Sequence, residues 1–198
     1  AVSAAGTPGT APSPDTWITI TVGRMEITVR PARTQDVKVI RSMVQPLATD
    51  RVLLDKDKVA YFEAIQEFLM AENADGEIVG FGALHVMWED LAEVRTLATA
   101  DAFQGRGVGG VVLNALLDKA QDLGVQHVFC LTFETSFFQR HGFEVMNDQS
   151  VLEPAVFNQL LLSTDEGVAE FLDLARVKPN TLGNTRMIVD LAKRPDRN

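Results

Sequence analysis

The sequence predicts one α/β (α+β) domain in which a mixed central sheet is flanked by helices, in the element order β-α-α-β-β-β-α-β-α-β-β. Apolar residues alternate along the chain between short strand-like runs and runs at helical spacing. A glycine-rich segment, 104–110, directly follows a predicted strand and opens a predicted helix. The 198 residues are 46% hydrophobic and 23% charged, which is enough to build one full core.

Helices precede strands in the first half of the domain. Thr34 can cap the first helix. Apolar residues at helical spacing predict two helices, the first from Val37, Ile40, Val44 and Leu47, and the second from Val59, Phe62 and Ile65. Three consecutive strands are predicted at 67–72, 77–88 and 91–99, the first two joined by a hairpin turn at 73–76.

The second half alternates helices with strands. Helical spacing after the glycine-rich segment involves Val111, Val112, Ala115, Leu116, Ala120 and Leu123. Gly124 is a typical helix stop. The further elements are a buried strand at 127–133, a short helix at 136–141, a strand from 143, helical segments at 154–162 and 168–174, and a closing strand at 184–191.

The beginning of the chain carries no predicted element. Residues 1–16 mix Pro, Ala, Gly, Ser and Thr and lack the basic and apolar regions of a signal peptide. Met25 precedes the first convincing strand, which starts near Ile27. We therefore predict that residues 1–24 are a disordered tail or an upstream extension, and that residues 25–198 form the single domain.

Charge and composition exclude several functions. The net charge of −9 argues against nucleic acid and anionic membranes as partners, and the longest apolar runs are too short to cross a bilayer. The single cysteine, Cys130, rules out an internal disulfide and fits a reducing compartment, so we predict a cytoplasmic protein. The three histidines lack the spacing of metal ligands, so no metal is expected.

The segment from Gln104 to Gly109 is the most informative part of the chain. A glycine-rich loop that opens a helix directs several backbone N–H groups at one point, beside the positive end of the helix dipole, and is suited to a phosphate or pyrophosphate. Its spacing fits neither G-x-x-x-x-G-K-[ST] nor G-x-G-x-x-G. The alternative interpretation is a glycine-rich turn with only a structural role.

The pattern Q-x-x-G-x-G resembles the acetyl-coenzyme A loop of the GCN5-related N-acetyltransferases, with Gln104, Gly107 and Gly109 at the motif positions. The element order from 27 to 145 and the aromatic pair at 137–138 before Gly142-Phe143 are also similar to that family. The resemblance implies the family fold, acetyl-CoA as cosubstrate, and no metal. The coenzyme contacts that it implies are Leu97, Ala98, Thr99, Gln104, Gly105, Arg106, Gly107, Val108, Gly109, Gly110 and Phe138.

Three further segments, 52–56, 92–98 and 178–187, resemble the acetyltransferase domain of N-acetylglutamate synthases, in particular the short actinobacterial form. This resemblance covers roughly residue 25 to the end of the chain. It implies transfer of an acetyl group from acetyl-CoA to the α-amine of glutamate, the first step of arginine biosynthesis. Glutamine, another small amine or a peptide N-terminus are alternative acceptors. A non-catalytic acetyl-CoA sensor is the alternative from a different class.

The same resemblance places the substrate residues. Lys56 occupies the position of a basic residue that pairs with a substrate carboxylate, and the backbone of Leu54 faces the substrate. Arg95 is proposed as a contact to a substrate carboxylate or as an orienting partner of the base. Longer synthases place a substrate-binding arginine just before the closing strand, but the matching position in this chain is a glycine. Lys178 or Arg186 is therefore the candidate for this substrate contact.

A base is needed because an ammonium group has no lone pair with which to attack a thioester. The resemblance places the catalytic base at Glu93, acting directly or through water, on the strand that leads to the glycine-rich loop. The leaving thiol has a pKa of about 8.5 and needs little help from an acid. Phe138 stands where many relatives have a tyrosine acid, so Thr132 is the candidate hydroxyl. A backbone N–H between Leu97 and Thr99 is expected to stabilise the oxyanion. A homodimer is the general expectation for such an enzyme.

Overall fold

The computed structural model describes residues 18–49, 56–146, 153–172 and 184–194. Within these ranges, eight strands form one sheet in the order β1-β2-β3-β4-β5-β6-β8-β7. The strands are β1 (Ile18–Val22), β2 (Met25–Pro31), β3 (Phe68–Asn73), β4 (Ile78–Trp88), β5 (Leu91–Thr99), β6 (His127–Thr132), β7 (Glu144–Val145) and β8 (Thr185–Asp190). The helices are α1 (Val37–Thr49), α2 (Lys58–Glu63), α3 (Val108–Asp122), α4 (Thr135–Gln139), α5 (Pro154–Leu160) and α6 (Glu166–Phe171).

The predicted fold class is confirmed: the sheet is mixed and helices cover both of its faces. Neighbouring strands are antiparallel except β5 and β6, which are parallel. On one face, α3 packs against alternate residues of the strands, including Val79, Leu84 and Val128. On the other face lie α1 and α2 over one part of the sheet, and α5 and α6 over β6 and β8. Alternate strand residues face opposite sides of a sheet, which explains why β3, β6 and β8 each contribute to two core clusters.

The predicted boundary at Met25 is wrong for part of the N-terminal segment. Residues Ile18–Val22 form β1 and pair with β2 along their full length, from Ile18 opposite Val29 to Val22 opposite Met25. The alternation of Ile or Val with Thr suits an edge strand with one face against the core. Residues 1–17 lie outside the described part of the chain.

Two helices differ in detail from the sequence prediction. The periodicity at 59–65 predicts an inward face that includes Val59 and Phe62, yet these are 59% and 42% exposed. Tyr61 is the buried residue of α2, at 3% exposure, because this short helix is rotated relative to that prediction. Helix α3 begins at Val108, inside the glycine-rich segment and three residues before the first residue of the predicted helix.

Candidate active site

The parallel strands β5 and β6 separate partway along their length. They pair at three positions, from Leu91 opposite His127 to Glu93 opposite Phe129, and the pairing ends there. On its other side β5 carries a bulge against β4, where Thr96 and Leu97 stand between the paired positions Arg95 and Ala98. Thr96 has a φ of 55°, in the left-handed region, which is typical of a bulge residue. The result is an open cleft between the two strands beyond Glu93.

The glycine-rich loop follows β5 and begins α3 beside this cleft. Gly105 and Gly107 have φ values of 70° and 85°, which only glycine adopts readily, and Gly107 is the N-cap of α3. The first N–H groups of a helix have no partner within that helix, so this end can receive an anion. Gly109 connects the loop to the cleft, since a Cβ there would lie 3.4 Å from Thr99 Oγ1 and 3.6 Å from the Phe137 ring.

The cleft has a volume of about 720 Å³ and brings together many of the predicted site residues. Its wall includes Lys56, Glu93, Arg95, Leu97, Ala98, Thr99, Gly109, Thr132 and Phe138. The other loop residues, Gln104, Gly105, Arg106, Gly107, Val108 and Gly110, lie at the N-terminus of α3 next to the cleft and are not part of that wall. Leu54 and Lys178 lie outside the described residues.

Two side chains of the loop have partners within the protein. Gln104 Nε2 donates to Asp101 Oδ1 at 3.0 Å, and the Arg106 guanidinium lies over the Phe103 ring, 5.5 Å from its centroid. The loop therefore presents its backbone, rather than these side chains, toward an anion. Arg186, on β8 opposite Leu131, is not among the described residues that line the cleft.

Glu93 and Arg95 form a buried ion pair on the polar face of β5. Arg95 Nε and Nη2 donate to Glu93 Oε2 at 2.9 and 2.5 Å, and the two side chains are 13% and 6% exposed. Arg95 also makes two hydrogen bonds to Asp165, from Nη1 to Oδ2 at 3.1 Å and from Nη2 to Oδ1 at 3.0 Å. Both edges of the Arg95 guanidinium are therefore engaged by carboxylates within the protein.

These contacts shift the pKa values of both Asp165 and Arg95. Burial acts to raise the pKa of the Asp165 carboxyl, but hydrogen bonding and attraction from Arg95 outweigh burial and lower it from 3.8 to about 2. Burial acts to lower the pKa of the Arg95 guanidinium, but Glu93 and Asp165 hold it above its ordinary value. Both groups are therefore charged across the physiological range.

The hydroxyl of Thr132 is placed to act as a donor. Its Oγ1 accepts the Glu134 N–H at 2.8 Å, and the side chain lies at the end of β6, where it lines the cleft. A hydroxyl whose oxygen accepts one bond still has its own hydrogen to donate. Phe138, by contrast, is 6% exposed and packs edge-on against Phe137 and Phe143, with ring centroids 5.1 Å apart in both pairs.

Sequence reasoning missed part of the cleft, above all Asp165, Gly167 and Asn184. Gly167 lies in α6, where a Cβ would meet Glu93 Oε2 and come within 2.8 Å of Arg95 Nη2. A glycine inside a helical pattern is the one local signal that could have indicated this close approach. Asn184 lines the cleft, and its buried Oδ1 has no hydrogen-bond partner among the described residues.

No group of three or more His, Cys, Asp or Glu side chains suited to a metal ion occurs in the described ranges. Within the same ranges, every helix is too short or too polar to span a bilayer.

The fold, the separated strands and the loop together define an acetyltransferase. The sequence profile of the Acetyltransferase (GNAT) family matches residues 41–143, and the chain belongs to this family. A relative from Mycobacterium tuberculosis (strain H37Rv), named amino-acid acetyltransferase, is 50% identical over 165 residues, which cover 82% of this chain and 94% of the relative.

Two solved structures extend the comparison. The crystal structure of Rv2747 from Mycobacterium tuberculosis in complex with CoA and NLQ has a TM-score of 0.77 and 49% identity, and the match covers 82% of this chain and 98% of that one. N-acetylglutamate synthase from Neisseria gonorrhoeae, complexed with coenzyme A and N-acetyl-glutamate, has a TM-score of 0.66 at 22% identity. That match covers 83% of this chain and 35% of the synthase, and it shows the shared fold.

Proposed function

We propose that this protein is an amino-acid N-acetyltransferase that moves acetyl from acetyl-CoA to the α-amine of L-glutamate, by direct transfer in a ternary complex. The observation that carries the proposal is the position of Glu93, a buried carboxylate at the point where β5 and β6 separate, inside the cleft that the glycine-rich loop adjoins. The relative of 50% identity that is named amino-acid acetyltransferase supports an amino acid as acceptor.

The loop and the free part of β5 fit acetyl-CoA. Backbone N–H groups at the start of α3 would hold the diphosphate, and the left-handed Gly105 and Gly107 let the chain turn closely around it. The pantetheine arm would lie along β5 in the gap left by β6 and so direct the thioester toward Glu93. Leu97 has no partner in the register of either neighbouring strand, which supports its N–H as the donor to the developing oxyanion.

Glu93 would accept the proton that the acceptor's ammonium must lose before attack. The contacts of Glu93 within the described residues engage Oε2 through Arg95, so Oε1 is the oxygen that would face the amine or an intervening water. The hydroxyl hydrogen of Thr132, at the end of the facing strand β6, would then stabilise the departing thiolate. No residue of this chain needs to carry the acetyl group.

A specific observation favours glutamine as a second candidate acceptor. Among the described residues that line the cleft, the carboxylates are Asp57, Glu93, Glu134 and Asp165, and the cations are Lys56 and Arg95. Arg95 is engaged by two of these carboxylates, so Lys56 is the cation left for a substrate carboxylate. Within the described part of the cleft wall, one available cation suffices for glutamine, which has one carboxylate, whereas glutamate has two.

Steady-state kinetics with acetyl-CoA and each of the twenty amino acids test the proposal. We expect thiol release with glutamate or glutamine and the formation of a product acetylated on the α-amine. Binding of acetyl-CoA without turnover on any amino acid would instead support the sensor. Turnover confined to other amines or to peptide N-termini would contradict the proposed acceptor class.

We also propose the cytoplasm as the location, where acetyl-CoA is available. The described part of the chain supports this with a free, buried Cys130, whose thiol pKa is raised by burial and by the nearby Glu93 carboxylate.

A further inference from the structure

We propose that Asp165 is a positioning residue for acetyl transfer: acting through the Arg95 guanidinium, it sets the orientation and the electrostatic environment of the Glu93 carboxylate. This inference rests on the proposed function and on Glu93 as its base. Asp165 lies just before α6, 70 residues from Arg95 along the chain, yet both of its carboxylate oxygens accept hydrogen bonds from Arg95.

The guanidinium is held as a rigid plane between two carboxylates. Its two terminal nitrogens bind both oxygens of Asp165, at 3.1 and 3.0 Å, while Nε and Nη2 bind Glu93 Oε2. Because a bidentate bridge fixes the plane of a guanidinium, Arg95 cannot rotate away from Glu93 without breaking the bonds to Asp165. Oε2 of Glu93 is therefore fixed, and the orientation of Oε1 toward the acceptor is fixed with it.

Asp165 is itself anchored by the end of α6. Its Oδ1 accepts the Val168 N–H at 3.0 Å, and its own N–H donates to Ser163 Oγ at 3.2 Å. The first contact caps the helix. Gly167, two residues later, allows the helix to approach the Glu93–Arg95 pair closely. The beginning of α6 thus both anchors Asp165 and contacts the Glu93–Arg95 ion pair.

The charges around Glu93 explain the effect of sharing Arg95 between Glu93 and Asp165. An arginine bound to Glu93 alone would strongly stabilise the ionised carboxylate and weaken it as a proton acceptor. Asp165 divides the positive charge of Arg95 between two acids. Among the described residues, the other groups that face this cluster are His85 on β4, Glu67 and the buried thiol of Cys130 on β6. His85 Nε2 lies 3.9 Å from Asp165 Oδ2, and His85 Nδ1 lies 2.7 Å from Glu67 Oε1.

Two substitutions test the proposal, Asp165→Asn and Asp165→Ser. Asn and Ser both cap helices well, so α6 is expected to form in either variant. We expect kcat to fall at least about tenfold, with an unchanged KM for acetyl-CoA. The acidic limb of the pH profile of kcat should move to lower pH, because Glu93 then faces the undivided charge of Arg95. Asp165→Glu restores the negative charge and should recover part of kcat.

Asp118→Asn is the matched control. Asp118 also accepts from an arginine, with Arg194 Nη1 at 2.7 Å, but it lies on α3 and is not part of the cleft wall. We expect this variant to keep the kcat and pH profile of the unsubstituted protein, even if it loses a similar amount of thermal stability.

The possible failures are distinguishable. If the unsubstituted protein turns over an amino acid while the kcat and pH profile of Asp165→Asn and Asp165→Ser overlay its own, the positioning role is overturned and the proposed function stands. If the unsubstituted protein acetylates no amino acid, both are overturned. A lower kcat in Asp165→Asn without movement of the acidic limb would show a purely structural role and would also overturn the inference.

Discussion

Gly167 of α6 lies directly against the Glu93 carboxylate of β5, so close that a methyl group at position 167 would overlap Glu93 Oε2. The contact joins a helix near the C-terminal end of the described chain to the strand that leads into the glycine-rich loop. The space beside the proposed base is therefore determined by the absence of a side chain on a distant element.

Gly167→Ala should impair catalysis through this contact. Helix propensity alone would make the alanine variant more stable by up to about 1 kcal/mol. The added Cβ would overlap Glu93 and Arg95 and displace them from their present positions, so we expect kcat to fall at least about tenfold while acetyl-CoA affinity stays the same. Steady-state kinetics and calorimetric titration of acetyl-CoA measure the two effects. An unchanged kcat would show that α6 can shift without disturbing the Glu93–Arg95 ion pair.

Glu93→Gln should remove the proposed base while keeping its shape. Glutamine can still accept a hydrogen bond from Arg95 but cannot take up a proton at neutral pH. We expect kcat to fall by about 10² to 10⁴-fold, the usual contribution of a general base, with little change in acetyl-CoA affinity. Glu26→Gln, at an exposed position on β2, is the control. Equal rates in the two variants would remove Glu93 from the mechanism.

The fold was predictable because its signals are local. Strand alternation and helical periodicity depend on neighbouring residues, so the bounds of β4 and β5 agree with the sequence prediction to within a residue. The edge strand β1 was missed because two of its five residues are threonines and it follows a segment rich in Pro, Ala and Gly. The rotated face of α2 was missed because the helix has six residues, too few for a periodicity to be reliable.

The site residues also divide into those that local sequence predicts and those that it does not. The positions of Glu93 in the cleft wall and of the glycine-rich loop at the start of α3 were predictable, since each belongs to a motif whose residues are close in sequence. The role of Arg95 as a bridge to Asp165 was not, because nothing near either residue encodes a contact across 70 positions. Only packing of α6 onto the sheet brings the two side chains together, through Phe171 and Val168 in the cluster around Phe129.

Lys56→Ala should weaken binding of the acceptor. Lys56 lines the cleft. Of the two cations in the described cleft wall, it is the one that forms no ion pair with the carboxylates of that wall. We expect the KM for the amino acid to rise at least about tenfold, with kcat and acetyl-CoA affinity little changed, because only ground-state binding is lost. Lys58→Ala is the matched control, since Lys58 is exposed and its Nζ lies 5.8 Å from the centroid of the Phe62 ring. A similar KM in both variants would contradict the assignment.

Alanine substitutions at two glycines of the loop distinguish the effect of backbone strain from the effect of packing. Gly105 and Gly107 both have positive φ, so alanine at either position costs about 1 to 2 kcal/mol in the native conformation. Among the described residues, a Cβ on Gly105 meets nothing within 4 Å, whereas one on Gly107 lies 2.8 Å from Val22 Cγ1 of β1. We expect Gly107→Ala to weaken acetyl-CoA binding more than Gly105→Ala, by calorimetric titration. Equal losses would mean that strain alone matters.

The Arg95–Asp165 bridge should make stability depend on pH in the acid range. Burial acts to raise the pKa of Asp165, but Arg95 outweighs it and lowers the pKa from 3.8 to about 2. A carboxyl with a lowered pKa in the folded state adds stability that is fully present well above 3.8 and is lost as the pH falls toward 2, because the unfolded chain takes up the proton first.

Comparison with Asp165→Asn isolates this contribution. Denaturant unfolding of both proteins between pH 7 and pH 2 should show a constant difference in the free energy of unfolding above about pH 5. That difference should shrink steadily at lower pH, because the carboxyl of the unsubstituted protein becomes protonated and the asparagine does not titrate. A difference that stayed constant down to pH 2 would show that Asp165 stabilises the fold through contacts that do not depend on its ionisation rather than through its charge on Arg95.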